Sequence, residues 1–181
     1  FPVAAVVTQP DRPKDRGRQL VPSPVKQFAL EHSLPVLQPT KLREAEPDIR
    51  LFAPDVIVVA AFGQIVPSAM LTIPPHGCVN LHGSLLPKYR GRCPVNWAII
   101  HGETETGATL HYMTEKPDNG DIVAQQAVPI LPNDTALEVF QKVTVAAEMA
   151  LNAVLPALLS GKAQAVKQDL SQGAYFGGRK A

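Results

Sequence analysis

Apolar residues fall along this chain in short runs whose spacing predicts strands alternating with helices. Residues 1–8 (F-P-V-A-A-V-V-T) and 55–61 (D-V-I-V-V-A-A) are rich in valine and alanine and read as buried strands, 55–61 the clearer of the two. A third strand-like run, 77–82 (G-C-V-N-L-H), ends at Gly83-Ser84 and then Pro87. Residues 34–37, 106–113 and 120–130 complete the expected strands, the last two joined by the turn-rich segment 114–119. Helical spacing is expected over 25–32, with Pro22 and Pro24 placed to open it, over 41–52, from 67 to 71, and over 94–101. The longest helical pattern is 135–159, where Leu137, Phe140, Val143, Ala147, Leu151, Val154 and Leu158 recur at helical spacing. Asn133 or Asp134 is expected to cap it, and Gly161 marks its end. Residues 9–21 show no periodicity and are expected to form a loop. Strands alternating with helices predict an α/β fold built on a doubly wound, mostly parallel sheet. The direct connection from 106–113 to 120–130 predicts an added antiparallel portion.

The chain of 181 residues suits one domain, and 45% hydrophobic residues are ample for a packed core. A formal charge of +1 supplies no bulk attraction to nucleic acid, so any basic patch must be local. No run of about 18 apolar residues and no signal-peptide pattern occurs. Cys78 and Cys93 lack C-x-x-C spacing and are expected to be small buried thiols, which fits a reducing cytoplasmic setting. The chain opens at Phe1 directly in a strand-like run and ends at Lys180-Ala181 without a stop signal, which is read as a piece trimmed at both ends.

Candidate chemistry centres on residues 78–91 (C-V-N-L-H-G-S-L-L-P-K-Y-R-G). Successive side chains of a strand point to opposite faces, so Asn80 and His82 share one face while Val79 and Leu81 share the other. An amide and an imidazole then stand together where the strand ends, the place where open α/β sheets hold ligands. Asp118 lies in the turn-rich loop between two strands. A carboxylate beside an imidazole would hold one tautomer and raise the ring pKa. A donating His82 and the Asn80 amide could stabilise a developing oxyanion, and Asp118 could relay a proton. That set needs no serine or cysteine nucleophile and suits acyl transfer to an amine that attacks directly. The alternative is that Asn80 and His82 are satisfied polar groups and Asp118 a turn former. Lys88, Arg90 and Arg92 either bind an anion or form a solvated loop. The run Arg12, Lys14, Arg16 and Arg18 either grips phosphates or is solvated. No G-x-S-x-G elbow, H-E-x-x-H, Walker-A loop or G-x-G-x-x-G is present, and the histidines are scattered, so no metal site is expected.

Residues 80–87 (N-L-H-G-S-L-L-P) followed by Tyr89-Arg90-Gly91, together with Glu105-Thr106-Gly107-Ala108-Thr109 and Asp118-Asn119-Gly120-Asp121-Ile122, resemble the signature of the folate-dependent formyltransferases. The resemblance covers nearly the whole chain. It implies a Rossmann-like catalytic domain, here expected to lack its first strand and helix and any C-terminal domain. It implies 10-formyltetrahydrofolate as cosubstrate, with no metal. By that resemblance Asn80 and His82 polarise the formyl oxygen, and Asp118 orients His82 and shuttles the proton. Ser84, Leu85, Leu86 and Pro87 would line the folate site, with Gln64, Ile65 and Val66 and with Thr114, Glu115, Lys116 and Pro117. Arg92 would lie near the cofactor or the acceptor. The basic segment 8–18, with Pro22-Ser23-Pro24-Val25-Lys26, is similar to the branch that formylates methionyl-tRNA, which puts Arg16 and Arg18 on the acceptor stem. Gly91-Arg92-Cys93-Pro94-Val95-Asn96-Trp97 and Leu110-His111-Tyr112-Met113 resemble the amino-sugar branch, whose acceptors include UDP-4-amino-4-deoxy-L-arabinose. The expected acceptor is methionyl-tRNA, the alternative a nucleotide-linked amino sugar, and the expected setting is translation initiation in the cytoplasm.

Overall fold

The computed structural model describes residues 1–14 and 19–178. Arg16 and Arg18 lie outside the described residues. The chain divides into two compact units, one of Phe1–Pro54 with Phe62–Pro74, the other of Asp55–Ala61 with Pro75–Ala181.

In the first unit, β1 (Val6–Val7) pairs in parallel with β4 (Val36–Leu37). The strand expected over 1–8 is therefore short, and residues 1–4 are exposed. The loop expected over 9–21 is corrected: β2 (Arg12–Lys14) and β3 (Gln19–Val21) pair antiparallel, with Arg12 opposite Val21. Three-residue strands are too short to print a period of two on a sequence, so pairing rather than pattern defines them. Helix α1 (Pro24–Glu31) starts where expected, because the Ser23 hydroxyl accepts from the Lys26 amide and Pro24 fits the first turn. Asp11 ties this region together by accepting from Lys26 Nζ at 2.6 Å and from Gln38 Nε2 at 2.8 Å. A 3-10 turn, Leu42–Ala45, leads into α2 (Glu46–Leu51), and together they bury Leu42, Ala45 and Ile49. Helix α3 (Ser68–Leu71) buries Met70.

The second unit is built on a four-stranded sheet. It contains β5 (Ile57–Ala60), β6 (Cys78–His82), β8 (Glu105–Tyr112) and β9 (Ile122–Pro129), in that spatial order. The β5–β6 pair is parallel, and β6–β8 and β8–β9 are antiparallel, which gives the added antiparallel portion. A separate parallel pair joins β7 (Arg90–Gly91) to β10 (Tyr175–Phe176). The run at 55–61 was expected to be the clearest buried strand. It is instead the edge of this sheet, with Val58 40% exposed. A continuous apolar run signals cover on both faces, and alternate residues of β5 are open.

Helix α4 (Pro94–Ile100) and helix α5 (Ala136–Leu159) complete the unit. Val139, Val143 and Ala146 of α5 pack with Val95 and Ala108, and Leu158 packs with Val79 and Leu110. The expected buried stripe is corrected at its first turns, where Leu137 is 65% exposed and Phe140 is exposed too. α5 carries apolar residues around much of its surface, Val145 and Met149 included. Periodicity alone could not choose which stripe meets the sheet. This helix is long and apolar enough to cross a bilayer by length and composition, yet its buried stripe is a core contact. The cap is also corrected: Thr135 caps α5, and its amide donates to the Glu138 carboxylate at 2.6 Å. Asp134 instead accepts from the Leu131 amide and from Lys142. Of the two thiols expected to be buried, Cys78 is and Cys93 is exposed.

Leu158→Ala should cost about 2–5 kcal/mol, as a cavity opens between α5 and the sheet, whereas Leu137→Ala should stay within about 0.5 kcal/mol. Denaturant midpoints of the two variants check this, and equal costs would contradict the burial just described.

Candidate active site

Strand alternation puts Asn80 and His82 on one face of β6. The antiparallel register sets His111 of β8 opposite Asn80, and Thr109 opposite His82. The carboxylate arrives from the loop after β8, where Asp118 holds a left-handed φ of 56°. Its Oδ1 lies 3.6 Å from His82 Nδ1 and 3.6 Å from His111 Nε2. Its Oδ2 accepts from the Gly91 amide at 2.8 Å. Only glycine serves at position 91, where φ is +100° and an added Cβ would collide with the Phe176 carbonyl.

His82 is 7% exposed, and its Nε2–H donates to the Tyr89 carbonyl at 2.8 Å. A carbonyl only accepts, so in the neutral ring the proton sits on Nε2 and Nδ1 carries a lone pair toward Asp118. Burial pushes the ring below its ordinary 6.5; Asp118 and the Tyr89 carbonyl pull it up, and His111 pushes it down. Burial also raises the Asp118 carboxyl, but the His111 and His82 rings, when the nitrogens facing it carry protons, and the Gly91 amide outweigh that, leaving it below its ordinary 3.8. The pair is therefore a neutral imidazole facing a carboxylate, and among the described residues no lysine or arginine is bonded to either. An amide donor, a buried base and a carboxylate within reach of one another can steady a growing oxyanion and move one proton.

Residues 2–155 match the formyl transferase family. The chain belongs to that family. It is 51% identical to a methionyl-tRNA formyltransferase of Geobacter sulfurreducens, over 96% of this chain and 55% of the relative. It is 52% identical to a methionyl-tRNA formyltransferase of Halalkalibacterium halodurans, over 93% of this chain and 54% of the relative. The chain thus spans about half the length of the curated relatives it matches. Among solved structures, a sugar N-formyltransferase from a Shewanella species superposes with a TM-score of 0.69 at 29% identity, over 86% of this chain and 60% of that one.

The other residues singled out in this formyl transferase sequence fall in several places. Ser84 is fully buried, and its hydroxyl donates to the Lys88 carbonyl at 2.7 Å, so it holds the turn from inside. Leu85, Leu86 and Pro87 line a cavity of about 350 Å³ with Glu103, Thr106 and Gln172. In the first unit, Gln64 and Ile65 line a cavity of about 360 Å³ with Lys41, Leu42, Arg43 and Pro67. The Gln64 side-chain oxygen, Oε1, accepts from the Leu42 amide at 2.9 Å, and Val66 is half-buried. Thr114 donates its hydroxyl to the Lys116 carbonyl, which fixes a turn whose Glu115, Lys116 and Pro117 are exposed. The three basic residues after β6 part company. Lys88 faces Glu103 at 3.6 Å, and the Arg90 guanidinium donates to Asn119 Oδ1 and to the Gly173 carbonyl. Arg92 is exposed, with its guanidinium against Gly178. Among the described residues no group of three or more His, Cys, Asp or Glu could hold a metal ion.

Several site-building groups escaped the sequence. Thr109 accepts from the Leu86 amide and donates to the Ser84 carbonyl, while Gln125 donates to the Leu86 carbonyl. Gln168 donates to the Asp118 and Gly120 carbonyls. In the sequence His111 reads only as part of a stretch that resembles the amino-sugar branch and not as a site residue, although it alternates with Thr109 along β8, a polar pair inside an apolar strand that could have marked a site face.

Both pKa shifts act on stability in one direction. A group whose folded pKa is depressed contributes stability above its unfolded pKa and loses it as the pH falls through the folded value. For His82 that loss begins below its ordinary 6.5, and for Asp118 below its ordinary 3.8. The denaturant midpoint should therefore fall between about pH 7 and about pH 5, and His82→Gln should flatten that fall. A midpoint that rises on acidification through this range contradicts the assignment.

Proposed function

We propose that this chain forms the formyl-transferring part of a cytoplasmic enzyme that moves a formyl group from 10-formyltetrahydrofolate to the amino group of methionyl-tRNA, as in translation initiation. The observation that carries the reading is the meeting of Asn80, His82 and Asp118 around one point, in a chain of the formyl transferase family. The amine nitrogen attacks the formyl carbon, a C–N bond forms, and the bond from that carbon to the folate nitrogen breaks. One proton must leave the amine and one must reach the departing nitrogen. Asn80 has an N–H to aim at the oxygen as it gains charge. His82 was expected to donate to the same oxygen. With Nε2–H held by the Tyr89 carbonyl, the neutral ring has no second N–H, so its better role is at Nδ1. There it takes the proton of the attacking amine, becomes an imidazolium steadied by Asp118, and returns the proton to the leaving nitrogen. No acyl-enzyme is required.

Folate contacts are assigned to Leu85, Leu86, Pro87, Arg92, Gln64, Ile65, Val66 and the turn at 114–117, with Ser84 supporting from within. The relatives at about half identity carry the name methionyl-tRNA formyltransferase, which favours tRNA as acceptor. Arg16 and Arg18 would then meet acceptor-stem phosphates. A second reading, transfer to a nucleotide-linked amino sugar, draws on the exposed Arg92 and on the likeness to a sugar N-formyltransferase.

Supplying 10-formyltetrahydrofolate with either initiator methionyl-tRNA or a UDP-linked amino-arabinose separates the two readings. Transfer to the tRNA is expected, and transfer to the sugar alone would overturn it. Asp118→Asn and His82→Ala should each lower kcat by roughly 100- to 1,000-fold, with folate binding retained in a titration. Unchanged turnover would remove them from the chemistry. In Arg16→Ala, tRNA formylation should weaken and lose part of its salt dependence; an unchanged salt slope would leave this arginine outside the acceptor grip.

A further inference from the structure

Asn80 presents a problem that the chemistry above does not solve by itself. A primary amide is nearly symmetric in shape, so turning it by half a revolution exchanges an N–H donor for a carbonyl acceptor with no change in packing. One orientation offers a donor to a growing negative charge. The other offers a second partial negative charge, which repels it. Something must select the first.

The cross-strand partner of Asn80 does so. His111 stands directly opposite it in the β6–β8 register, and Asn80 Nδ2 lies 3.3 Å from His111 Nε2. The other ring nitrogen, Nδ1, lies 2.8 Å from the Tyr112 carbonyl. That carbonyl can only accept, so in the neutral ring the proton sits on Nδ1 and Nε2 is an acceptor. An acceptor at Nε2 admits the amide nitrogen of Asn80 and rejects its oxygen. The ring itself cannot turn to offer something else: His111 is 2% exposed and held on one side by its own strand's carbonyl. Asp118 Oδ1, 3.6 Å from the same Nε2, adds a second reason for the Asn80 oxygen to stay away. One amide hydrogen is thus anchored on His111, and the second is left to point elsewhere.

We propose that His111 is a positioning residue for formyl transfer. A backbone carbonyl fixes its tautomer, and its Nε2 fixes the Asn80 amide with the N–H outward. This deepens the reading that Asn80 is an oxyanion donor and rests on it. The same device recurs on the other side of the site, where the Tyr89 carbonyl sets the tautomer of His82. In their neutral forms the two imidazoles are of opposite tautomer, Nε2–H at His82 and Nδ1–H at His111, and they flank one carboxylate oxygen.

Two measurements on the full chain test this. Long-range proton–nitrogen spectra of the imidazole rings should show His111 as the Nδ1–H tautomer and His82 as the Nε2–H tautomer at neutral pH. An Nε2–H ring at His111 overturns the proposal whatever the enzyme turns out to formylate, so this readout stands apart from the functional reading. The second is a double-mutant cycle. His111→Leu keeps volume and removes the acceptor; it should lower kcat roughly tenfold, short of the ~100-fold of Asn80→Ala, with KM for the folate unchanged. In the Asn80→Ala background the same replacement should cost less than about twofold, because the residue through which it acts is gone. Full additivity would show that His111 does not act through Asn80. His111→Gln, whose side-chain oxygen reaches a place near Nε2, should recover part of the lost kcat, and a Gln variant no better than Leu counts against the proposal. If wild type transfers no formyl group to any amine while the tautomers are as stated, the functional reading fails and the geometric one survives.

Discussion

Two backbone groups of one short segment hold the site together: the Tyr89 carbonyl accepts from His82, and the Gly91 amide donates to Asp118. Backbone groups cannot change rotamer, so the imidazole and the carboxylate are aligned by the path of the chain and not by each other. That path is unusual. Tyr89 has φ +56°, Gly91 +100° and Cys93 +56°, three left-handed residues in five. Non-glycine residues hold such angles only where surrounding contacts over-determine them. Here the contacts are visible. Ser84 ties down the Lys88 carbonyl, the Tyr89 hydroxyl donates to Glu103, and β10 pairs alongside Arg90 and Gly91. Thr109 and Gln125 hold the first half of the turn from the neighbouring strands.

Proton count follows from this scaffold. In their neutral forms the two rings, held by the Tyr89 and Tyr112 carbonyls, turn His82 Nδ1 and His111 Nε2 as lone pairs toward Asp118 Oδ1, and Asn80 supplies an N–H to His111. The arrangement is short of a proton, and a buried site short of a proton is a base. Burial keeps the His82 ring neutral, while Asp118 waits to stabilise the cation once it forms. The two tendencies oppose each other, which keeps either protonation state from being locked in. A carboxylate bonded to an arginine would have removed that balance. Arg90 lies close in sequence, yet it is drawn away to Asn119 and to the Gly173 carbonyl.

Asn80 and His82 were legible in the sequence because a strand has a period of two, and that fixes which residues share a face. Asp118 was legible as a loop residue, with its place beside His82 supplied by resemblance. What stayed hidden depends on register and on backbone direction. His111 meets Asn80 only through the pairing of two strands thirty-one positions apart. The carbonyl of Tyr89 and the amide of Gly91 belong to no side-chain pattern at all. The same reason explains the misread elements. The β2–β3 pair is made by partners and not by period, and α5 carries apolar residues on more faces than the sheet can cover. Cys93, expected to be buried by its residue type, is exposed because it stands at the left-handed entry to α4.

The proposed chemistry and the proposed choice of acceptor draw on separate parts of this chain. Asn80, His82, His111 and Asp118 all belong to the unit that contains the four-stranded sheet. In the proposed reaction they would meet a formyl group, an attacking nitrogen and a proton. The described part of the basic segment proposed to meet an RNA, Arg12 and Lys14 of β2, belongs to the other unit. A constellation fixed by backbone carbonyls and amides is insensitive to substitutions at the surface, so the acceptor can change while the reacting geometry does not. Arg92 is the exception that tests this separation: its amide donates to the Phe176 carbonyl beside the catalytic turn, while its side chain faces outward. Position 92 is where a change of acceptor would have to be accommodated without disturbing Gly91, one residue before it.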